Sequence, residues 1–213
     1  MINPKCKICR RTGRKLFLKG EKCNSTKCPM IKKAYAPGST GKRRKRGLSE
    51  YGKELREKQK LRNFYNLRER QFRKYIDEVL ERMHNASVKE ENPAEVLIRI
   101  LEKRLDNIVF RLGFADSRSQ ARQLVTHGHF LLNNKPIRRP STILKKGDKV
   151  GIRLSSQKSQ FFIKLAPKLK NFETASWLLL DKKSIEGTVQ GVPSLEEALP
   201  PAEISSIFEF YSR

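Results

Sequence analysis

Apolar residues change their spacing several times along the chain, and each change marks an element. Leu97, Leu101, Leu105, Ile108 and Leu112 recur at intervals of three or four, which predicts one helix with a single apolar face, closed by Gly113. Arg104 and Arg111 fall on another face of that helix, where they can reach a partner. Ser117 and Gln120 fit a reciprocal capping box, in which each side chain satisfies an open backbone N–H at a helix start. The short helix that follows turns Ala121, Leu124 and Val125 inward and sets Arg118 and Arg122, one turn apart, on its outside. Gly128 closes it. Phe130-Leu131-Leu132 and Lys135-Pro136-Ile137 flank Asn133-Asn134, a pair that tolerates positive φ and predicts a tight hairpin. K-K-G-D-K-V-G-I at 145–152 reads as a turn followed by a short strand.

Earlier in the chain, Leu48 to Met83 is helical in composition. Phe72, Tyr75, Ile76, Val79, Leu80 and Met83 form a stripe at helix spacing, and Tyr51, Leu55 and Phe64 mark a preceding helix with a break near Asn66. Asn85 to Asn92 reads as a linker. In the tail, Ile204, Ile207, Phe208 and Tyr211 return to helix spacing, and the stripe ending at Met83 is their expected partner. Residues 155–171 carry no readable pattern, because Pro167 interrupts an otherwise plausible helix.

Charge sharpens this picture. The 213 residues include 47 Lys and Arg against 22 Asp and Glu, a net charge of +25. Self-repulsion on that scale destabilises a compact protein, so a polyanionic partner is implied, and nucleic acid is the commonest. The excess is uneven. Residues 1–75 hold 25 basic and 5 acidic residues, residues 93–171 hold 17 and 5, and residues 172–213 hold 3 and 7. The segment Ile31 to Gly47 has few apolar residues and a run of five cations, Lys42, Arg43, Arg44, Lys45 and Arg46. Such an arm is expected to order on RNA, displacing counterions as it does so. Lys53, Arg56, Lys58, Lys60, Arg62, Arg68, Arg70, Arg73 and Lys74 outnumber Glu54, Glu57 and Glu69 on the helices that follow, and these cations extend the expected RNA surface.

Cys6, Cys9, Cys23 and Cys28 give the spacing C-x2-C-x13-C-x4-C. Two such pairs on tight knuckles suit one metal ion, and a segment this basic and this poor in apolar residues would gain folding energy from it. Tetrahedral zinc on four thiolates is the default expectation. An iron–sulfur cluster uses the same ligands, and spacing does not separate the two. The start of the chain alternates Lys and Arg without an apolar run, unlike a secretory signal, and Trp177 to Leu180 is far too short to span a membrane. A cytosolic setting follows, in which these thiols are not expected to form disulfides.

R-L-D-N-I-V-F-R-L-G-F-A-D-S-R-S-Q-A-R-Q-L-V-T-H-G-H at 104–129 resembles the small RNA-binding module named after ribosomal protein S four, in that protein's own version. Y-G-K-E-L-R-E-K-Q-K-L-R before it, and E-G-T-V and F-E-F-Y-S-R after it, are similar to the same family, so the resemblance covers almost the whole chain. It is identified as a member of the bacterial-type small-subunit ribosomal protein S four family, in the variant with four N-terminal cysteines. Asn134 stands where the family usually has glycine. Members with four cysteines occur with either metal, and many members lack the cysteines altogether.

The fold expected from pattern and resemblance is α+β: a mainly helical domain, an inserted α+β RNA-binding module with helices packed on a short antiparallel sheet, and an N-terminal metal-bound segment. The expected boundaries are 1–47 for the cysteine segment and basic arm, 48–92 plus 172–213 for a discontinuous helical domain, and 93–171 for the module. Arg104, Arg111, Ser117, Arg118, Arg122, His127, Lys135, Arg138 and Arg139 are the module's expected RNA contacts. The resemblance implies a structural protein that binds the 5′ domain of small-subunit ribosomal RNA, nucleates assembly of the subunit body and contributes to translational accuracy. It also implies ribosomal proteins number three and number five, and messenger RNA at the entry channel, as neighbours in the cytoplasmic ribosome, with no membrane and no DNA.

Catalysis has little support. His127 and His129 are two apart at a helix end, and no glycine-rich phosphate loop, nucleophile elbow or plausible carboxylate pair is present. An RNA-modifying enzyme carrying the same module, such as a pseudouridine synthase, needs a sizeable further domain with an acidic nucleophile, and about 40 residues follow the module. A metal-sensing regulator needs a DNA-reading helix and a dimer interface, neither of which is legible.

Overall fold

The computed structural model describes residues 4–38, 47–84 and 91–212. In chain order the helices are α1 (Lys5–Thr12), α2 (Glu21–Asn24), α3 (Pro29–Lys32), α4 (Glu50–Phe64), α5 (Glu69–His84), α6 (Pro93–Glu102), α7 (Leu105–Arg111) and α8 (Arg118–Thr126). Then come β1 (Phe130–Leu132), β2 (Lys135–Ile137), β3 (Lys149–Ile152), α9 (Leu154–Gln157), α10 (Gln160–Ile163) and α11 (Leu165–Lys170). The chain finishes with β4 (Leu178–Asp181), β5 (Glu186–Val189), α12 (Leu195–Ala198) and α13 (Ser205–Ser212). Two compact units result: Met1–Leu97 with Leu199–Arg213, and Ile98–Ala198.

The first unit is helical. Ser49 caps α4, its hydroxyl accepting from the Gly52 N–H at 3.2 Å. The helix stops where expected, because Asn66 takes a φ of +54°, a conformation asparagine tolerates better than most residues. On α5 the apolar stripe is internal, with Phe72, Tyr75, Ile76 and Val79 buried. The tail helix α13 packs chiefly along α4, not along the α5 stripe. Tyr51 and Phe210 rings stand 5.3 Å apart, and the Lys58 ammonium lies 4.3 Å from the Phe210 ring centre. An α4 face that mixes aromatic and cationic side chains suits a helix ending in Phe-Glu-Phe-Tyr. From α5, Phe72 and Glu69 both reach Tyr211.

The second unit is a five-stranded antiparallel sheet in the order β2-β1-β3-β5-β4, with α7 and α8 contributing to its core. Asn133 and Asn134 take φ of +49° and +66°, so the two-residue hairpin turn forms as predicted, with both asparagines in the left-handed region they tolerate. The core gathers Leu105, Ile108, Leu112, Phe114, Ala121, Val125, Phe130, Val150, Trp177 and Val189. Phe114 and Phe130 stack with ring centres 5.9 Å apart.

Two expectations are corrected here, and one unread stretch takes a definite form. The helix predicted through Leu97 to Leu112 is two helices. At its centre the backbone is taken by residues 140–144: the Leu105 N–H donates to the Thr142 carbonyl, the Asp106 N–H to Pro140, and the Leu144 N–H to the Lys103 carbonyl. Residues 172–198 belong with the sheet rather than with the helical domain, because β5 pairs with β3 and β4 with β5. Gly187 makes this possible, since a Cβ there would collide with the Leu112 side chain that lies against the strand. The unreadable 155–171 stretch is three short helical turns, α9 to α11, with Pro167 in the first turn of the last, where its missing N–H costs nothing.

Candidate nucleic-acid interface

Arg104, Arg111, Arg118 and Arg122 do not form a free cationic face. Two buried carboxylates gather them. Asp106, next to the start of α7, accepts from Arg104 Nε at 3.1 Å and Nη2 at 2.9 Å, and from Arg122 Nη1 at 3.3 Å. Glu102 accepts two bonds of 3.0 Å from Arg111 and one of 2.7 Å from the Asn107 amide. Arg118 donates to Asn107 Oδ1 at 2.7 Å, lies 4.6 Å from the Phe110 ring centre and stands 3.9 Å from Glu102. Burial then separates the four by role. The side chains of Arg104 and Arg118 are 1% and 9% exposed, those of Arg111 and Arg122 21% and 39%. The expectation that all four reach outward is corrected for Arg104 and Arg118, which serve the module's own interior.

Missed in the sequence were the acceptors Glu102, Asp106 and Asn107. Their signal was present: an acid two residues after Arg104, followed by asparagine, and an acid nine residues before Arg111. A single unbroken helix placed them on the wrong faces.

The capping box is half as expected. The Ser117 hydroxyl, buried at the start of α8, accepts from the Gln120 N–H, whereas Gln120 Oε1 reaches back to the Asp116 N–H at 2.9 Å, one residue earlier than the motif requires. Ser117 is thus committed to its own helix. His127, at the α8 C-terminus, is exposed, as are Lys135, Arg138 and Arg139 on and beyond β2. The Arg138 side chain lies over Gly128, whose φ of +78° and absent Cβ leave it that space. His129 faces inward instead, its Nδ1 2.9 Å from the Ser156 hydroxyl, and burial together with the neighbouring His127 lowers its pKa.

In the first unit the cations divide in the same way. Lys58 is buried and pairs with Glu69 at 2.6 Å, Arg62 pairs with Glu69 at 2.7 Å, and Lys60 pairs with Glu57. Arg73 makes only a loose contact of 3.9 Å with Asp77 on the next turn. Lys53, Arg56, Arg68, Arg70 and Lys74 are exposed, and no described carboxylate stands within ion-pair distance of them. Lys42, Arg43, Arg44, Lys45 and Arg46 lie outside the described residues.

The cysteines share one neighbourhood. Cys6 and Cys9 stand on α1, Cys23 on α2, and Cys28 is the N-cap of α3; all four line one small cavity. The Lys19 N–H donates to Cys23 Sγ at 3.3 Å, as a thiolate-binding knuckle does. Burial pushes the Cys9 thiol up, and the charges of Cys23, Cys6 and Cys28 push the same way. Among the described residues no three His, Cys, Asp or Glu side chains are gathered as an ion site, so the thiols share a cavity without forming a finished one. Four sulfurs with backbone N–H support are nonetheless a donor set that fits zinc or a cluster.

Comparison with known proteins completes the reading. Residues 1–102 match the family described as Ribosomal protein S4/S9 N-terminal domain, and residues 103–150 match the S4 domain. The chain is 43% identical to small ribosomal subunit protein uS4 of Thermotoga petrophila over 211 residues, covering 99% of this chain and 97% of the relative. It is 45% identical to uS4A of Alkaliphilus metalliredigens, covering 98% and 96% of the two chains. The chain belongs to the uS4 family. Its relative in Desulfitobacterium hafniense, at 42% identity, is also named small ribosomal subunit protein uS4 and is covered over 97% of its length. The uS4 family is one of ribosomal structural proteins and not of enzymes, in keeping with the absence of a catalytic motif in the sequence. The two family matches meet between Glu102 and Lys103, where α6 ends and the arginine network begins.

Proposed function

We propose that this protein is a primary ribosomal-RNA-binding constituent of the small ribosomal subunit, acting in the cytoplasm, where it binds the 5′ domain of the subunit's RNA. The observation that carries the reading is the set of exposed cations on α4 and α5, Lys53, Arg56, Arg68, Arg70 and Lys74, with no matching acid among the described residues. Charges left uncompensated on a rigid helix pair suit a partner whose own charge is regularly spaced. Phosphate contacts of this kind position the protein on RNA without reading sequence, which suits recognition of a folded junction by shape.

On this reading the protein holds RNA helices together early and so nucleates assembly of the subunit body. The acidic segment 172–213 suits contact with basic neighbours, and ribosomal proteins number three and number five are the proposed ones, close to messenger RNA at the entry channel. Rigidity at that position is the proposed route to translational accuracy. Cys6, Cys9, Cys23 and Cys28 would hold one zinc ion or one iron–sulfur cluster, which would fix the basic N-terminal segment in place. Filter binding of the full chain to the 5′-domain RNA tests the reading. Affinity should fall steeply between about 50 and 200 mM salt, by at least tenfold. A flat salt dependence, or no preference over unrelated structured RNA, would overturn it.

A further inference from the structure

The arginine network has a property that the proposed function does not use. Asp106 is a single buried carboxylate with two arginine partners of opposite character. Arg104 is wholly internal and grips it with two bonds. Arg122 comes from another helix, touches Asp106 Oδ2 through Nη1 alone, and keeps 39% of its side chain in solvent. A planar guanidinium held along one side has its remaining donors fixed in direction. Beyond the end of α8, Arg138 is laid over Gly128, whose absent Cβ leaves room for it. Arg122 is thus aimed from below rather than left to sample many rotamers, which lowers the entropy lost on binding an anion.

We propose that Asp106 is a positioning residue for RNA: anchored by Arg104, it holds Arg122 on the α8 surface with the free edge of the guanidinium presented to a backbone phosphate. The inference rests on the RNA-binding reading above. It assigns different work to residues that the sequence treats alike, since Arg122 touches RNA while Arg104 and Asp106 act through it. The acid therefore strengthens binding to a polyanion although it carries the same sign of charge. Orientation outweighs the added repulsion because the Asp106 charge is already neutralised by Arg104 at 2.9 Å.

A double-mutant cycle with the full chain and the 5′-domain RNA tests this. Arg122→Ala should weaken binding roughly tenfold, the scale of one charge-assisted contact, and flatten the salt slope by about 0.7–0.9. Asp106→Asn should also weaken binding, yet cost nothing further when added to Arg122→Ala. Fold losses that multiply, or an Asp106→Asn protein that binds like wild type, would overturn the proposal. Arg122→Lys gives a reading independent of whether Asp106→Asn folds. Lysine keeps the charge but not the fork, so it should recover less than half of the lost binding energy, and full recovery would overturn the positioning role. Wild-type protein with no salt-sensitive RNA binding would overturn the functional reading together with this inference; normal wild-type binding with an additive cycle overturns the inference alone.

Discussion

The Tyr211 hydroxyl donates a 2.9 Å hydrogen bond to Glu69, tying the last helix of the chain to the first turn of α5 across 142 positions of sequence. Glu69 is also the acceptor for Lys58 and Arg62. One carboxylate thus joins α4, α5 and α13, and burial together with its charge holds the Tyr211 hydroxyl well above the usual tyrosine range. Tyr211→Phe removes one bond and little packing. It should destabilise the first unit by about 0.5–1.5 kcal/mol, measured by denaturant unfolding. An unchanged midpoint would mean that α13 is held by its apolar face alone.

The same carboxylate gives a pH dependence. Burial would raise Glu69, but hydrogen bonds from Lys58, Tyr211 and Arg62 outweigh it and hold its pKa below 4.5. A group depressed in the folded state contributes its full stability above the unfolded value and loses it as pH falls through the folded one. Wild type should therefore be more stable than Glu69→Gln at neutral pH, and the gap should close as the solution is taken below about pH 4.5. A gap that widens in acid would contradict the assignment.

Arg118 and Arg70 should separate structure from binding. Arg118→Ala leaves Asn107 Oδ1 without its 2.7 Å donor and bares Phe110, and should cost about 1–3 kcal/mol of stability. Arg70→Ala, on the exposed surface of α5, should change stability by no more than about 0.5 kcal/mol while weakening RNA binding. Thermal melts alongside filter binding would distinguish them. Equal melting temperatures for the two variants would show that the network does not support the fold.

Gly187 is expected to resist substitution. A methyl group there meets the Leu112 side chain, so Gly187→Ala forces α7 and β5 apart or Leu112 off its rotamer. A loss of about 1–3 kcal/mol is expected from overpacking of this kind. A neutral result by calorimetry would mean that Leu112 relaxes freely.

The cysteines yield a compositional prediction. Protein purified without oxygen should contain one zinc ion or one iron–sulfur cluster, separable by elemental analysis and visible absorption. Cys23→Ser should then hasten protease cutting before Gly47. Metal-free protein that resists protease there would make these four ordinary thiols.

Local pattern carried much of the fold into the sequence. The Asn66 break, the α5 stripe, the Ser117 cap and the Asn133-Asn134 turn all depend on a few neighbouring residues, and those were legible. Long-range pairing was not. The break at Lys103-Arg104 exists because residues 140–144 claim that backbone, and no periodicity within Leu97–Leu112 records it. β4 and β5 are four residues each, and their signal was an apolar run, Trp177 to Leu180, facing E-G-T-V across a turn. Asp181 makes that turn, accepting from the Lys183 N–H and the Ser184 hydroxyl. At the candidate interface, charge count pointed to nucleic acid but did not sort one arginine from another. Only the tertiary position of Glu102 and Asp106 separates buried Arg104 and Arg118 from outward Arg122.

Sedimentation of a native lysate through a gradient at moderate salt tests the central claim most directly. The account predicts that the protein travels with small ribosomal subunits and is released only as salt is raised, as a grip dominated by phosphate contacts requires. Protein that stays at the top of the gradient with free proteins, at every salt concentration, would contradict it.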